Sequence, residues 1–263
     1  MSIDMKLREN SKALVCGASQ GIGRAVAIEL ARAGVTVHAV SRSADKLKDL
    51  MDELKDINSL NHQYHCVDFL SPDQLQRFCE AVPQQNFQIL VCNAGGPKSG
   101  PLTDANTEEF LHGFQAHVLT NQKLVQAVLP AMKSSGWGRI VNIISTSVKV
   151  PIPNLGVSNT IRGAVAQWAK TLSLELGPHN ITVNNVLPGY TETERLEKLS
   201  QAAAEKQNLS QEQILNNWRM MTPMRRFATA QEIAWAVQFL CSDQAGYISG
   251  INLPVDGGRT GCL

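Results

Sequence analysis

Short apolar runs recur along the chain, with room for one helix between each pair. They are ALVC at 13–16, VTVHAV at 35–40, YHCV at 64–67, ILVC at 89–92, RIVNII at 139–144, ITVNNVL at 181–187 and INLPV at 251–255. Most lack the alternation of a half-exposed strand, which is the pattern of strands covered on both faces of a parallel sheet. Between them the apolar positions take helical spacing. One helix runs from Gly23 to Ala33, closed by Gly34 where a left-handed cap belongs. Others run from Glu108 to Lys133 and from Gly156 to Leu176, the last stopped by Gly177-Pro178. Seven strands alternating with helices predict a doubly wound parallel α/β sheet with right-handed crossovers.

No linker, repeat or low-complexity tract breaks the 263 residues, so a single domain over 1–263 is expected. A charged, amide-rich segment at about 192–221 interrupts the alternation. It reads either as a surface helical pair or as a lid, since it leaves the carboxyl end of a strand, where such sheets bind ligands.

Composition narrows the classes. Apolar residues make up 43% of the chain, enough for a sizeable core, which excludes intrinsic disorder. The 24 basic and 23 acidic residues leave a net charge of +1, without the basic excess of a nucleic-acid binder. No stretch approaches a membrane span, and the opening segment is charged where a signal peptide would be apolar. The six cysteines (Cys16, Cys66, Cys79, Cys92, Cys241 and Cys262) are scattered, with no CxxC and no His/Cys cluster at metal-ligand spacing. Reduced thiols in a cytoplasm are expected, and no metal.

Candidate chemistry begins after the first strand, at Gly17, Ser19, Gln20, Gly21, Ile22 and Gly23. Glycines between a strand and a helix permit a tight turn and let a pyrophosphate approach the backbone at the helix N-terminus. The spacing is GxxxGxG rather than GxGxxG. The second strand ends in Ser41-Arg42, about twenty residues on. An acidic residue there would bond a ribose 2′-hydroxyl, whereas an arginine forks a 2′-phosphate. Arg42 therefore points to NADP(H) over NAD(H), unless it is only an exposed arginine of the next helix.

The glycine turn, Cys92-Asn93-Ala94-Gly95, the segment Asn184 to Thr193, and Ile248-Ser249-Gly250 with Val255-Asp256-Gly257-Gly258 together resemble the short-chain dehydrogenase/reductase family, in its 3-oxoacyl-carrier-protein reductase-like branch. The resemblance implies a Rossmann-type, three-layer α/β/α fold and a nicotinamide cofactor. It assigns cofactor contacts to Asn93, Ala94, Gly95, Pro188, Gly189, Thr191 and Thr193. It makes Asp68 an acceptor for the adenine amino group, the alternative being a turn aspartate. It also implies a homodimer or homotetramer built on the Glu108–Lys133 and Gly156–Leu176 helices.

The same resemblance exposes a departure. The family uses a serine, a tyrosine thirteen residues later, a lysine four further, and an asparagine on the preceding long helix. Here the serine is Ser145, but the next two positions are Ser158 and Arg162, and the asparagine position falls on His117. Ser158 and Arg162 remain i, i+4 on one helix face. A serine hydroxyl is a far weaker acid than a phenol, and arginine stays protonated. His117 has an unperturbed pKa near neutrality, so it reads as a replacement proton donor or as a hydrogen-bonded helix histidine. Tyr190 is a second donor candidate or an aromatic wall.

Two functions fit. One is an NADP(H)-dependent oxidoreductase acting on a small carbonyl or alcohol with an atypical proton-transfer set. The other is a catalytically silent NADP(H)-binding sensor or structural subunit.

Overall fold

The computed structural model describes residues 7–262; the first six residues of the charged opening segment lie outside it. Seven parallel strands form one sheet in the order β3-β2-β1-β4-β5-β6-β7. They are β1 (Lys12–Cys16), β2 (Thr36–Ser41), β3 (Gln63–Cys66), β4 (Ile89–Cys92), β5 (Gly138–Ile143), β6 (Ile181–Pro188) and β7 (Asn252–Val255). The order reverses between β1 and β4, so the crevice beyond their carboxyl ends is a topological switch point. This is a Rossmann-type α/β fold.

Alternate strand residues face opposite helical layers. Ala13 and Val15 of β1 join the core formed with α1 (Gly21–Arg32), α2 (Ala44–Ile57) and α9 (Ala230–Cys241). Leu14 and Cys16 join the opposite core, formed with α3 (Pro72–Ala81), α5 (Thr120–Ser135) and α6 (Gly156–Leu176). Strands covered on both sides need no polar face, which is why β4 and β5 are buried throughout.

Three features position the site. Gly34 has φ +82°, the left-handed conformation expected after α1. The long helix read over 108–133 is broken: α4 (Thr107–Phe114) passes through a π-helical turn at Gln115–Leu119 into α5. The charged segment folds as α7 (Glu194–Gln207) and α8 (Gln211–Met220), the latter opened by a reciprocal Ser210/Gln213 capping box. Within the sheet, the buried amides of Asn142 and Asn185 and the half-buried amide of Asn252 form a relay across three strands. Asn142 Nδ2 donates to Asn185 Oδ1 at 2.9 Å, and Asn185 Nδ2 donates to Asn252 Oδ1 at 2.8 Å. Paired this way, polar groups are tolerated in the core.

Candidate active site

The turn between β1 and α1 is built for an anion. Gly17 and Gly21 have φ +62° and +56°, and a Cβ on Gly23 would collide with the Gly17 carbonyl oxygen. Gln20 caps α1 with no side-chain hydrogen bond, and the first turn carries no acidic residue. The first N–H groups are thus left to a ligand at the positive end of the helix. Asn93 fixes this turn from the neighbouring strand, its Nδ2 donating to the Gly17 carbonyl at 3.4 Å. A Cβ on Gly17 would lie 2.6 Å from the same Nδ2, so the turn and the Asn93-Ala94-Gly95 segment are in direct contact.

The loop after β6 closes over that turn. Pro188 ends the strand, the Gly189 N–H donates to the Val255 carbonyl at 3.0 Å, and the Thr191 hydroxyl donates back to the Gly189 carbonyl at 3.1 Å. Thr193, the N-cap of α7, makes no cap bond of its own and lies against Gly21. Lys46 ties the two sides together, donating to Gln20 Oε1 at 2.6 Å and pairing with Glu194 at 2.8 Å.

At the end of β2, Ser41 Oγ accepts from the Ser43 N–H. Arg42 is exposed, and among the described residues no carboxylate lies within 4.0 Å of it. Its guanidinium is therefore free to fork a phosphate. Asp68 Oδ1 accepts from the Leu70 N–H at 3.1 Å, a turn-forming contact that leaves its other oxygen without a donor among the described residues.

Ser145 follows β5 closely, and Arg162 of α6 reaches the end of the same strand. Ser145 is half-buried and extended; its Oγ accepts from the Ser147 N–H at 3.1 Å, so its own hydrogen remains available to a substrate oxygen. Ser158 is buried on α6. Arg162 is buried one turn further along α6, donating from Nη1 to the Ile143 carbonyl at 2.7 Å, while its Nε has no partner. Burial and the nearby charge of Arg195 push its pKa down to about 9, which leaves it a cation at neutral pH.

His117 sits in the π turn, buried, with Nε2 3.0 Å from the Gly95 carbonyl oxygen. A carbonyl only accepts, so Nε2 carries the hydrogen. Burial, then the positive charge of Arg162, drives the His117 pKa down to about 3. Its titration has left the neutral range expected from an isolated imidazole, and the ring is neutral at pH 7.

Two arginines beside recognisable motifs are further members of the site. Arg195, two residues past Thr193, donates to the Gly96 carbonyl at 3.3 Å, and a Cβ on Gly96 would collide with its guanidinium. Arg259 follows the Asp256-Gly257-Gly258 turn and lies over the Tyr190 ring, 4.5 Å from its centroid. Tyr190 in turn stacks on Trp218 of α8, centroids 5.0 Å apart and planes 4° apart. Adjacency to the Thr193 and Gly258 motifs was the only sequence signal for either arginine.

Comparison with known proteins agrees with this geometry. Residues 17–260 match the family model described as enoyl-(acyl carrier protein) reductase. The 3-oxoacyl-(acyl-carrier-protein) reductase FabG of Pseudomonas aeruginosa is 33% identical over 94% of this chain and 96% of its own. The D-beta-hydroxybutyrate dehydrogenase of Rhizobium meliloti is 28% identical over 94% of this chain and 98% of its own. The crystal structure of L-sorbose reductase from Gluconobacter frateurii, complexed with NADPH and L-sorbose, superposes with a TM-score of 0.92. It is 28% identical and covers 99% of this chain and all of that one. Glycine turn, switch-point crevice and family model converge: the chain belongs to the short-chain dehydrogenase/reductase family.

Proposed function

We propose that the protein is an NADP(H)-dependent oxidoreductase that interconverts a carbonyl and an alcohol using Ser145, Ser158, Arg162 and His117 in place of the family's usual set. The observation that carries the reading is the open, uncapped N-terminus of α1 with the unpaired Arg42 at the end of β2, beside a Ser145 hydroxyl free to donate. The residues fit the cofactor: the glycine turn and Thr193 would hold its diphosphate, and Arg42 its 2′-phosphate. Bound there, NADPH supplies hydride chemistry, and the protein supplies orientation and electrostatics.

In this reading Ser145 donates a hydrogen bond to the carbonyl oxygen. Arg162 presents a fixed cation to the negative charge that grows on that oxygen, which lessens the need for a strong acid. Ser158 passes a solvent proton to the oxygen afterwards. Neutral His117 donates to Gly95 and holds that loop rather than titrating. The segment α7–α8 acts as a lid, a role supported by the Lys46–Glu194 pair that links it to the glycine turn. Leu111, Phe114 and Leu174 stay exposed on α4 and α6, which supports a homo-oligomer formed through those helices. The described cysteines are all free, which supports a reducing, cytoplasmic setting.

NADPH consumption against a broad carbonyl panel tests the reading. Turnover should appear and should fall at least a hundredfold in Ser145→Ala. A folded protein that binds NADPH and consumes none of it would instead be the silent binder.

A further inference from the structure

Two cavities open at the carboxyl end of the sheet, and their charges differ. The larger, about 310 Å³, contains Arg226, Glu232 and Asp256. Arg226 is spent there, forked onto Glu232 at 2.6 and 2.7 Å. The second, about 290 Å³, is lined by Thr146 and Arg259, whose side chains adjoin. Its walls are apolar, from the segment Val150 to Pro153 and from Met221, and none of its lining residues is acidic.

Arg259 is held in place without being neutralised. Its guanidinium rests on Tyr190, which Trp218 braces from behind. Nη1 lies 3.5 Å from Thr146 Oγ1 and Nη2 lies 3.5 Å from the Tyr190 hydroxyl, both at the outer limit of a hydrogen bond. Among the described residues no carboxylate lies within 4.0 Å. A guanidinium carries five N–H donors in a planar fork, so most of its bonding capacity remains open.

The cavity also borders the chemistry. Thr146 is the residue after Ser145, and consecutive Cα atoms are ~3.8 Å apart, so a group held by Arg259 is within a short carbon chain of the Ser145 hydroxyl. We propose that this cavity is the substrate subsite, and that it takes a carbonyl or hydroxyl compound with an apolar body whose carboxylate is forked by Arg259. The assignment rests on the reading of Ser145 as the group that polarises the carbonyl. Apolar substrate surface packs on Val150–Pro153 and Met221, and charge complementarity fixes which end faces Ser145. A neutral polyol would leave both the apolar walls and the cation unused.

Paired probes of one shape, 4-phenylbutyrate and 4-phenylbutyramide, separate charge from fit. Titrated calorimetrically into the NADPH-loaded protein, the acid should bind at least tenfold tighter than the amide. Arg259→Gln should abolish that preference, Arg259→Lys should restore part of it, and NADPH affinity should change in neither. Equal binding of acid and amide, no binding of either, or a preference that survives Arg259→Gln would overturn the assignment. Failure of the oxidoreductase reading has a different signature: no NADPH consumption with any carbonyl, whatever the acid-to-amide ratio.

Discussion

The Thr193 side chain rests on Gly21: a Cβ on that glycine would fall 3.2 Å from Thr193 Cγ2, tighter than ordinary packing. The N-cap residue of α7 and the glycine turn thus share one contact surface. Gly21 also has φ +56°, a conformation costing about 1–2 kcal/mol for an L-residue with a side chain. Gly21→Ala should lower the thermal midpoint and weaken NADPH binding at least tenfold. Unchanged NADPH affinity, measured by quenching of protein fluorescence, would place the cofactor elsewhere.

Cofactor choice isolates Arg42. NADPH should bind at least tenfold tighter than NADH, about 1.4 kcal/mol, and Arg42→Ala should remove most of the difference. The reference is the unmodified protein; equal affinities there contradict the role.

Burial sets the pH behaviour of His117. Its pKa is driven down to about 3, so the neutral ring persists across the working range. The rate profile between pH 5.5 and 8 should have no limb from this residue, and His117→Asn should leave its shape unchanged. A histidine Cε1 proton resonance that titrates near pH 6.5 in the native protein, and is lost in the variant, would contradict this.

How far the sequence alone reaches can be judged residue by residue. All seven strands were legible, because apolar runs between glycine turns leave little choice in a parallel sheet. Ser158 and Arg162 were legible as a pair, since helical spacing puts them on one face. The π turn was not, because Leu111, Phe114 and Val118 keep an apolar rhythm that a regular helix also satisfies. The depressed His117 pKa was equally hidden, as it arises from burial in the fold and then from the charge of Arg162, 45 positions along the chain. Asn142, Asn185 and Asn252 lie in separate strands, and only their register makes them neighbours.

Restoring the family's proton-transfer pair is the direct test of what was lost. Ser158→Tyr with Arg162→Lys should leave NADPH binding intact and raise carbonyl reduction by roughly 10²–10⁴-fold, the usual value of a placed general acid. Ser158 is buried, so the larger ring should cost about 1–3 kcal/mol in stability. His117→Asn in the same background completes the relay position. A folded triple variant that binds NADPH yet reduces nothing would show that the substrate pocket has diverged as well.

A second histidine governs acid stability. His38 is buried on β2, its Nδ1 3.1 Å from His65 Nε2, and burial followed by His65 lowers its pKa to about 4. The folded value lies below the unfolded one, so the unfolded chain takes up the proton first as pH falls. Stability should be level above pH 6.5 and decline between 6.5 and about 4. His38→Phe should flatten that limb in urea titrations at successive pH values; an unaltered slope would remove His38 as its source.

The π turn at Gln115–Leu119 works like one extra tooth on a gear. Each residue of an α-helix advances the rotation by about 100°, and a π turn absorbs one residue more than the α turn it replaces. The α4 half and the α5 half therefore run in different angular frames. Removing a single residue from the turn would leave the α5 contacts with the sheet untouched. It would swing Leu111, Phe114 and everything else upstream to new bearings, and bring a neighbour of His117 round to face Gly95. Position along this helix is thus not a fixed address. Without the extra residue, the position held by His117 would present its side chain elsewhere.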